Sequence, residues 1–363
     1  MPQLWLQTQG HGYDDWLVDH AKQVGGVILI NPEYGDWRKF VGAGVQHVTG
    51  RKVWPNDSDK DWIKQGAHGA ELWWADFWRT AAPLKDITIW RGPNEPAIWN
   101  AEDALRLDAF TSRLADLFHD NGKQLTGLNF STGHPEFNLW RYLAESLSKI
   151  DYLGRHSYAC EPPWFDRSQW WHPWRLVRDV EAIRAAKLRV PPIIMGETGI
   201  DRGGHTHYDG WRARGVSADE YTRRMAHYIV DLGRAVPELY AAAPFVWLST
   251  GWPSFDIGRS ESERLLARYR ELVPDAPTPP AQRPTDKEIG DMMQKHLIPL
   301  NPAAALEKAA AARGIGLLPA SPEVSQGDEV IQVFRTAQNR GVQYIARVRV
   351  GDWGNVTWSE RQN

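Results

Sequence analysis

Cysteine is nearly missing from this sequence. Cys160 is the single copy in 363 residues, so no intramolecular disulfide can form and nothing asks for an oxidising compartment. Long apolar runs are missing too: the longest, such as 239–248, fall far short of the roughly 18 residues that a membrane helix needs. There is no basic surplus. Lys and Arg total 42 against 45 Asp and Glu, for a formal net charge of -3, which argues against a nucleic-acid partner. The opening stretch, MPQLWLQTQGHGYDDW, has neither a basic nor an apolar signal region. The expectation is a cytoplasmic protein, or one released by a non-classical route, with no membrane partner. Gly (31) and Pro (24) are scattered without a period, which excludes collagen-like chains. No Gly-x-Gly-x-x-Gly turn follows the first apolar run, and no Walker A or Gly-x-Ser-x-Gly motif occurs.

What the sequence has in excess is tryptophan, with 20 copies. Most single tryptophans pack in cores. The segment 164–174 (WFDRSQWWHPW) instead sets four Trp and one Phe among polar residues, which is poor core patterning. Rigid aromatic faces suit sugars, whose C–H faces are apolar and whose edges carry hydroxyls.

Short apolar runs alternate with longer helical stretches, the pattern of a parallel α/β architecture. Eight runs stand out: 3–8, 26–31, 47–54, 86–91, 124–130, 152–158, 192–197 and 243–249. The clearest helices between them span 103–120, 138–149, 172–187 and 218–235, with 260–272 closing the series. Ser217, followed three residues later by Glu220, reads as a capping box. Eight such units over 1–273 fit a (β/α)8 barrel. The weak points are the polar third run and a ragged second helix near 37–44. Residues 274–285 (PDAPTPPAQRPT) hold five Pro and read as an extended linker. Residues 286–363 read as a small α+β accessory module, with helices over 286–297 and 301–313 and strands over 329–335, 342–350 and 355–358.

Chemistry in such a barrel sits where the strands end. The fourth run ends in Arg91-Gly92-Pro93-Asn94-Glu95-Pro96. The seventh ends in Met195-Gly196-Glu197-Thr198-Gly199. Each sets a carboxylate at the rim, three βα units apart. Two carboxylates at one mouth are what glycoside hydrolysis requires: one protonates the departing oxygen, and the other faces the oxocarbenium-like carbon. Alternatives remain for each. Glu95 could serve the dipole of the helix over 103–120, and Glu197 could be a salt-bridged rim residue.

Asn-Glu-Pro after strand four together with Glu after strand seven resembles the retaining glycoside hydrolases of clan A, the 4/7 superfamily. The resemblance covers roughly residues 1–273 and implies that Glu95 is the general acid/base and Glu197 the nucleophile. It implies that Asn94 bonds the sugar 2-hydroxyl, and that the substrate is a β-linked oligo- or polysaccharide cleaved without metal or cofactor. His156 and Tyr158, at the end of run six, resemble residues that serve the nucleophile, Tyr158 by hydrogen bond. Trp247 resembles an aromatic platform under the sugar, with a core Trp as the alternative. An arginine on an early strand, common in the clan, is not found at the ends of runs one or two, and Arg91 or Arg155 would take its place.

Strand register adds Asn31, Trp54 and His134 as substrate contacts. Trp170 and Trp171, with Trp164 and Trp174, are stacking candidates unless their loop packs on itself. His205-Thr206-His207 in the seventh loop lacks the partners a metal site needs, and Cys160 lacks the partners of a nucleophile. Two rival readings stay open: a non-catalytic carbohydrate-binding barrel, and a structural or assembly protein, as in a phage or at a cell surface.

Overall fold

The computed structural model describes residues 1–9, 13–201, 209–247 and 251–273, together with five strands between 317 and 362. Two compact units divide the chain, Met1–Ala281 and Gln282–Asn363.

The first unit is a (β/α)8 barrel. Its elements run β1 (Gln3–Leu4), β2 (Leu6–Gln9), α1 (Asp15–Val24), β3 (Gly26–Ile30), α2 (Arg38–Gly42), β4 (His47–Arg51), α3 (Gly66–Ala81), β5 (Ile89–Arg91), α4 (Ala101–Asp120), β6 (Gln124–Phe130), α5 (Ala144–Lys149), β7 (Tyr152–Ala159), α6 (Arg175–Ala185), β8 (Ile193–Ile200), α7 (Ala218–Ala235), β9 (Leu239–Pro244) and α8 (Arg259–Leu272). The strands pair in the order β1-β9-β8-β7-β6-β5-β4-β3-β2, parallel throughout. β1 and β2 are consecutive segments interrupted only at Trp5, so the two ends of that order meet and the sheet closes.

Local sequence explains three of the eight helix starts. Asp14, Asn100 and Ser217 cap α1, α4 and α7, each accepting a backbone N–H from three residues on. Only half of the predicted capping box forms, because the Glu220 side chain accepts from Arg224 at 2.8 Å instead. The expected helix over 138–149 is a 3-10 stretch, Phe137–Tyr142, followed by the short α5. The chain breaks there so that the Ser146 N–H and hydroxyl can dock on Asp108 of α4.

The barrel interior is layered. Trp5, Ile28, Ile194, Ala241 and Ala243 fill one end, where Trp5 stacks on His47 at 5.2 Å. The other end is polar. This explains the weak third run: His47, Thr49 and Arg51 alternate toward the interior, while Val48 joins the layer between sheet and helices. The last barrel strand is shifted from the expected 243–249 to Leu239–Pro244. Small alanines can cross the crowded interior, and the bulkier Phe245, Val246 and Trp247 form the rim, with Phe245 N bonded to Thr198 O and Trp247 N to Gln7 O.

In the second unit, β10 (Leu317–Pro319), β12 (Glu329–Thr336), β13 (Val342–Arg349) and β14 (Thr357–Gln362) form an antiparallel sheet, with β11 (Val324–Gln326) paired to β12. The expected linker over 274–285 and the helices over 286–297 and 301–313 lie outside the described residues.

A Cβ on Gly50 of β4 would overlap the ring of Trp90, which is fully buried and packs edge-on against Phe77 at 5.0 Å. Gly50→Ala is therefore expected to destabilise the barrel by about 1–3 kcal/mol. The check is a urea titration, with a lowered midpoint at unchanged slope.

Candidate active site

Glu197 lies in β8 beside a break in register: Arg155 pairs with Met195 and His156 with Glu197, so Gly196 is the extra residue of a bulge. Bulges re-aim side chains, and this one brings the Glu197 carboxylate into the polar end of the barrel. A Cβ at Gly196 would sit 2.8 Å from the Arg91 guanidinium carbon, so glycine is what lets Arg91 lie against the backbone. Glu197 is buried. Its Oε1 pairs with Arg51 Nη1, with Arg91 Nη1 at 3.9 Å. Its Oε2 accepts from the Tyr158 hydroxyl at 2.9 Å. Burial alone would raise the Glu197 pKa. The His156 ring N–H, the Arg51 and Arg91 guanidiniums and the Tyr158 hydrogen bond outweigh burial and hold the carboxyl well below the usual range.

Glu95 follows β5 in a left-handed backbone conformation, φ 47°, with its N–H on Asn129 O at 3.0 Å. Its Oε1 is 2.7 Å from His156 Nδ1, and the same nitrogen is 3.4 Å from Glu197 Oε2. The tautomer follows from the network. Arg91, which can only donate, bonds His156 Nε2, so the ring proton sits on Nδ1 and is donated to Glu95. Burial lowers the His156 pKa, and the ring is neutral near pH 7. The positive field on Glu197 then rests on Arg51 and Arg91. Arg91 is positioned by Asn129, whose Oδ1 accepts from Arg91 Nε at 3.2 Å and whose amide donates to the carbonyls of Gly92, Pro93 and Thr126.

The structure thus gathers Glu95, Glu197, His156 and Tyr158 at one mouth. Asn94, half-buried beside Glu95, pairs backbone to backbone with Asn129. Asn31 braces the rim, its Oδ1 accepting from Val53 N at 2.8 Å. His134 stands half-exposed against Trp99, ring centroids 4.5 Å apart. Trp171 packs on Phe137 and Arg175, and Trp170 is largely exposed beside it. Trp164 and Trp174 pack down, Trp174 donating to Phe165 O.

Two aromatic expectations land elsewhere. Trp54 is buried against Trp73 and Trp62, with its N–H on Asp76 at 2.7 Å. Trp247 is buried in a face-to-face stack on Trp16 of α1 at 5.7 Å. The rings beside Tyr158 are Phe245 and Phe255, with Trp252 against both. The arginine sought on early strands is Arg51, at the end of β4. Its signal was the inward alternation of the polar third run. Arg91 assists it, whereas Arg155 faces the other side of β7 and pairs with Asp179 at 2.7 Å.

Glu95, His156 and Glu197 each offer a donor atom, all within 4.8 Å of one another, a set that resembles a metal site. The surroundings oppose a cation: Nδ1 of His156 carries a proton, and two guanidiniums adjoin Glu197. Burial, with Asp201 nearby, pushes the Cys160 thiol up to about 11, which opposes a thiolate. The His205-Thr206-His207 segment lies outside the described residues. Among those described, no helix is long and apolar enough to cross a membrane.

Neither a protein-family model nor a curated protein matches the sequence. Among solved structures the chain is similar to a modular endo-β-1,4-mannanase of Cellulomonas fimi, at 12% identity over 99% of this chain and 93% of that one, with a TM-score of 0.49. It is similar to a family 51 α-L-arabinofuranosidase of Bifidobacterium longum, at 11% over 96% and 82%, TM-score 0.49. It is also similar to an endo-β-1,3-glucanase of Amycolatopsis mediterranei, at 13% over 72% and 99%, TM-score 0.40.

Removing Arg51 leaves the buried Glu197 charge short of its closest partner. Arg51→Met is expected to cost about 3–5 kcal/mol at pH 7. A depressed carboxyl pKa contributes stability above the unfolded value, 4.5 for Glu, and loses it as pH falls through the folded value. The unfolded state is common to both proteins, so the gap between wild type and Arg51→Met should be full above the variant's own Glu197 value and narrow as pH falls from there toward the depressed wild-type value. Denaturant titrations across that range check it, and a gap independent of pH would contradict it.

Proposed function

We propose that the chain is a retaining glycoside hydrolase that cleaves a β-linked glycan by double displacement. One observation carries the reading: carboxylates from two non-adjacent strands meet on a single neutral histidine, one buried among cations and the other half-exposed. The separation supports retention over inversion. One oxygen of each lies within 4.8 Å of the other, so the facing oxygens leave no gap for the water that an inverting pair must hold between its carboxyls. The β linkage follows from the likeness of Asn94-Glu95-Pro96 and Glu197 to clan A.

In the first step a Glu197 oxygen attacks the anomeric carbon. The glycosidic C–O bond breaks, and the proton on Glu95 passes to the departing oxygen. His156 Nδ1–H holds Glu95 Oε1 as an acceptor, which leaves Oε2 to carry that proton. In the second step Glu95, now a carboxylate, takes a proton from water. The water oxygen displaces Glu197 from the sugar, and Glu95 is protonated again. Each Glu197 oxygen keeps a lone pair after its hydrogen bond to Arg51 or Tyr158, so these partners hold the nucleophile without occupying its attacking orbital. The two guanidiniums also stabilise the carboxylate as the leaving group of the second step.

Glu197→Gln should abolish turnover on aryl β-glycosides. Glu95→Ala should lose roughly 10²–10⁴-fold on poor leaving groups, keep dinitrophenyl glycosides as glycosyl donors, and be rescued by azide. Intact mass spectrometry with a panel of 2-fluoro-glycosyl fluorides should show one added glycosyl on the wild type and none on Glu197→Gln. Unchanged hydrolysis by Glu197→Gln would overturn the mechanism. Sugar affinity without any hydrolysis by the wild type would favour the non-catalytic barrel.

A further inference from the structure

Trp99 is the most exposed large hydrophobic residue among those described, at 71%, and Trp170 is the most exposed other aromatic, at 49%. An exposed aromatic face is a liability unless something covers it. Both belong to one band. Trp99 lies four residues beyond Glu95 on the same loop and meets His134, on the loop after β6, edge to face at 4.5 Å. Gly133, next to His134, has φ 86° and would place a Cβ 3.7 Å from the Trp171 indole nitrogen. Trp171, on the loop after β7, meets Trp170 edge to face at 5.3 Å. The band crosses three successive loops, beginning at the carboxyl that delivers the proton.

Beneath it lies a cluster of buried charge that the chemistry does not use. Arg155, Arg175 and Asp179 are fully buried. Asp179 pairs with Arg155 at 2.7 Å and lies 3.6 Å from Arg175. Arg155 donates to the carbonyl of His134 and Arg175 to that of Pro135. The Arg175 guanidinium also lies 4.2 Å from the Trp171 ring and 4.3 Å from Phe137. Burying such groups is costly. What they hold is the wall that carries His134 and Trp171, whose flat faces are fixed before any ligand arrives.

We propose that Trp99, His134, Trp171 and Trp170 form a binding track for the leaving-group side of the substrate, so that the enzyme takes an oligosaccharide rather than a small aglycone as its leaving group. The sidedness follows from chemistry: the proton goes to the departing oxygen, so the departing chain lies on the Glu95 side of the mouth. This rests on the glycosidase reading above and extends it.

The test compares wild type, Trp99→Ala and Trp99→Ala/Trp170→Ala on two kinds of substrate. One is an aryl β-monoglycoside panel. The other is a set of hexasaccharides (β-1,4-glucan, β-1,3-glucan and β-1,4-mannan) with a reduced terminal unit. The ratio of kcat/KM for the hydrolysed hexasaccharide to that for the aryl glycoside should fall roughly ten-fold in the single variant and further in the double, through KM. On an inactive Glu197→Gln background, tryptophan fluorescence titrations with the same hexasaccharides should show the same weakening. An unchanged ratio, or an equal fall on both substrate types, overturns the track and leaves the glycosidase reading standing. A wild type that hydrolyses neither substrate type overturns that reading, and the track with it.

Discussion

The mouth of this barrel is organised around one buried negative charge. A carboxylate enclosed like Glu197 is unfavourable unless charge and hydrogen bonds replace the water it has lost. Two arginines from β4 and β5 and a tyrosine hydroxyl from β7 supply that replacement. Much of the local sequence follows from the arrangement. β4 is polar because its inward side ends in Arg51. Gly196 is glycine because Arg91 lies against it. Gly154 is glycine because a Cβ there would overlap the Asn129 amide that holds Arg91. His156 is neutral because Arg91 occupies its only acceptor nitrogen, and that fixes the proton it presents to Glu95.

Much of this was legible in the residues. The number of βα units, the two carboxylates, and the His156/Tyr158 alternation all follow from period and from position at strand ends, which depend on backbone geometry. Arg51 was passed over because the run over 47–54 reads as ending at Trp54, whereas β4 ends at Arg51, and only the alternation of His47, Thr49 and Arg51 toward the interior marks it. Trp54 and Trp247 failed for another reason. An indole is apolar enough for the layer between sheet and helices, and only the rotation of the last strand residue decides which side receives it. The end of β9 shows the same limit, since Phe245, Val246 and Trp247 read as more strand but serve as rim. Trp99 passed unnoticed because exposure of a lone aromatic leaves no periodic trace.

β7 ties the two buried-charge systems together. Successive residues of a strand face opposite sides. On this strand His156 and Tyr158 face the carboxylates, while Arg155, between Gly154 and His156, faces outward to Asp179 and the His134 carbonyl. The interior system holds one anion ionised and directs one proton. The exterior system holds a loop. A slip of one residue in β7 would exchange the two faces, placing a guanidinium beside Glu95 and an imidazole beside Asp179, and would disable both at once. The bulge at Gly196 gives Glu197 its independence from this constraint, because it shifts the pairing partner without moving β7. The carboxylate mouth and the wall that flanks it therefore share one register, and a change to the wall that leaves β7 in place leaves the carboxylates undisturbed.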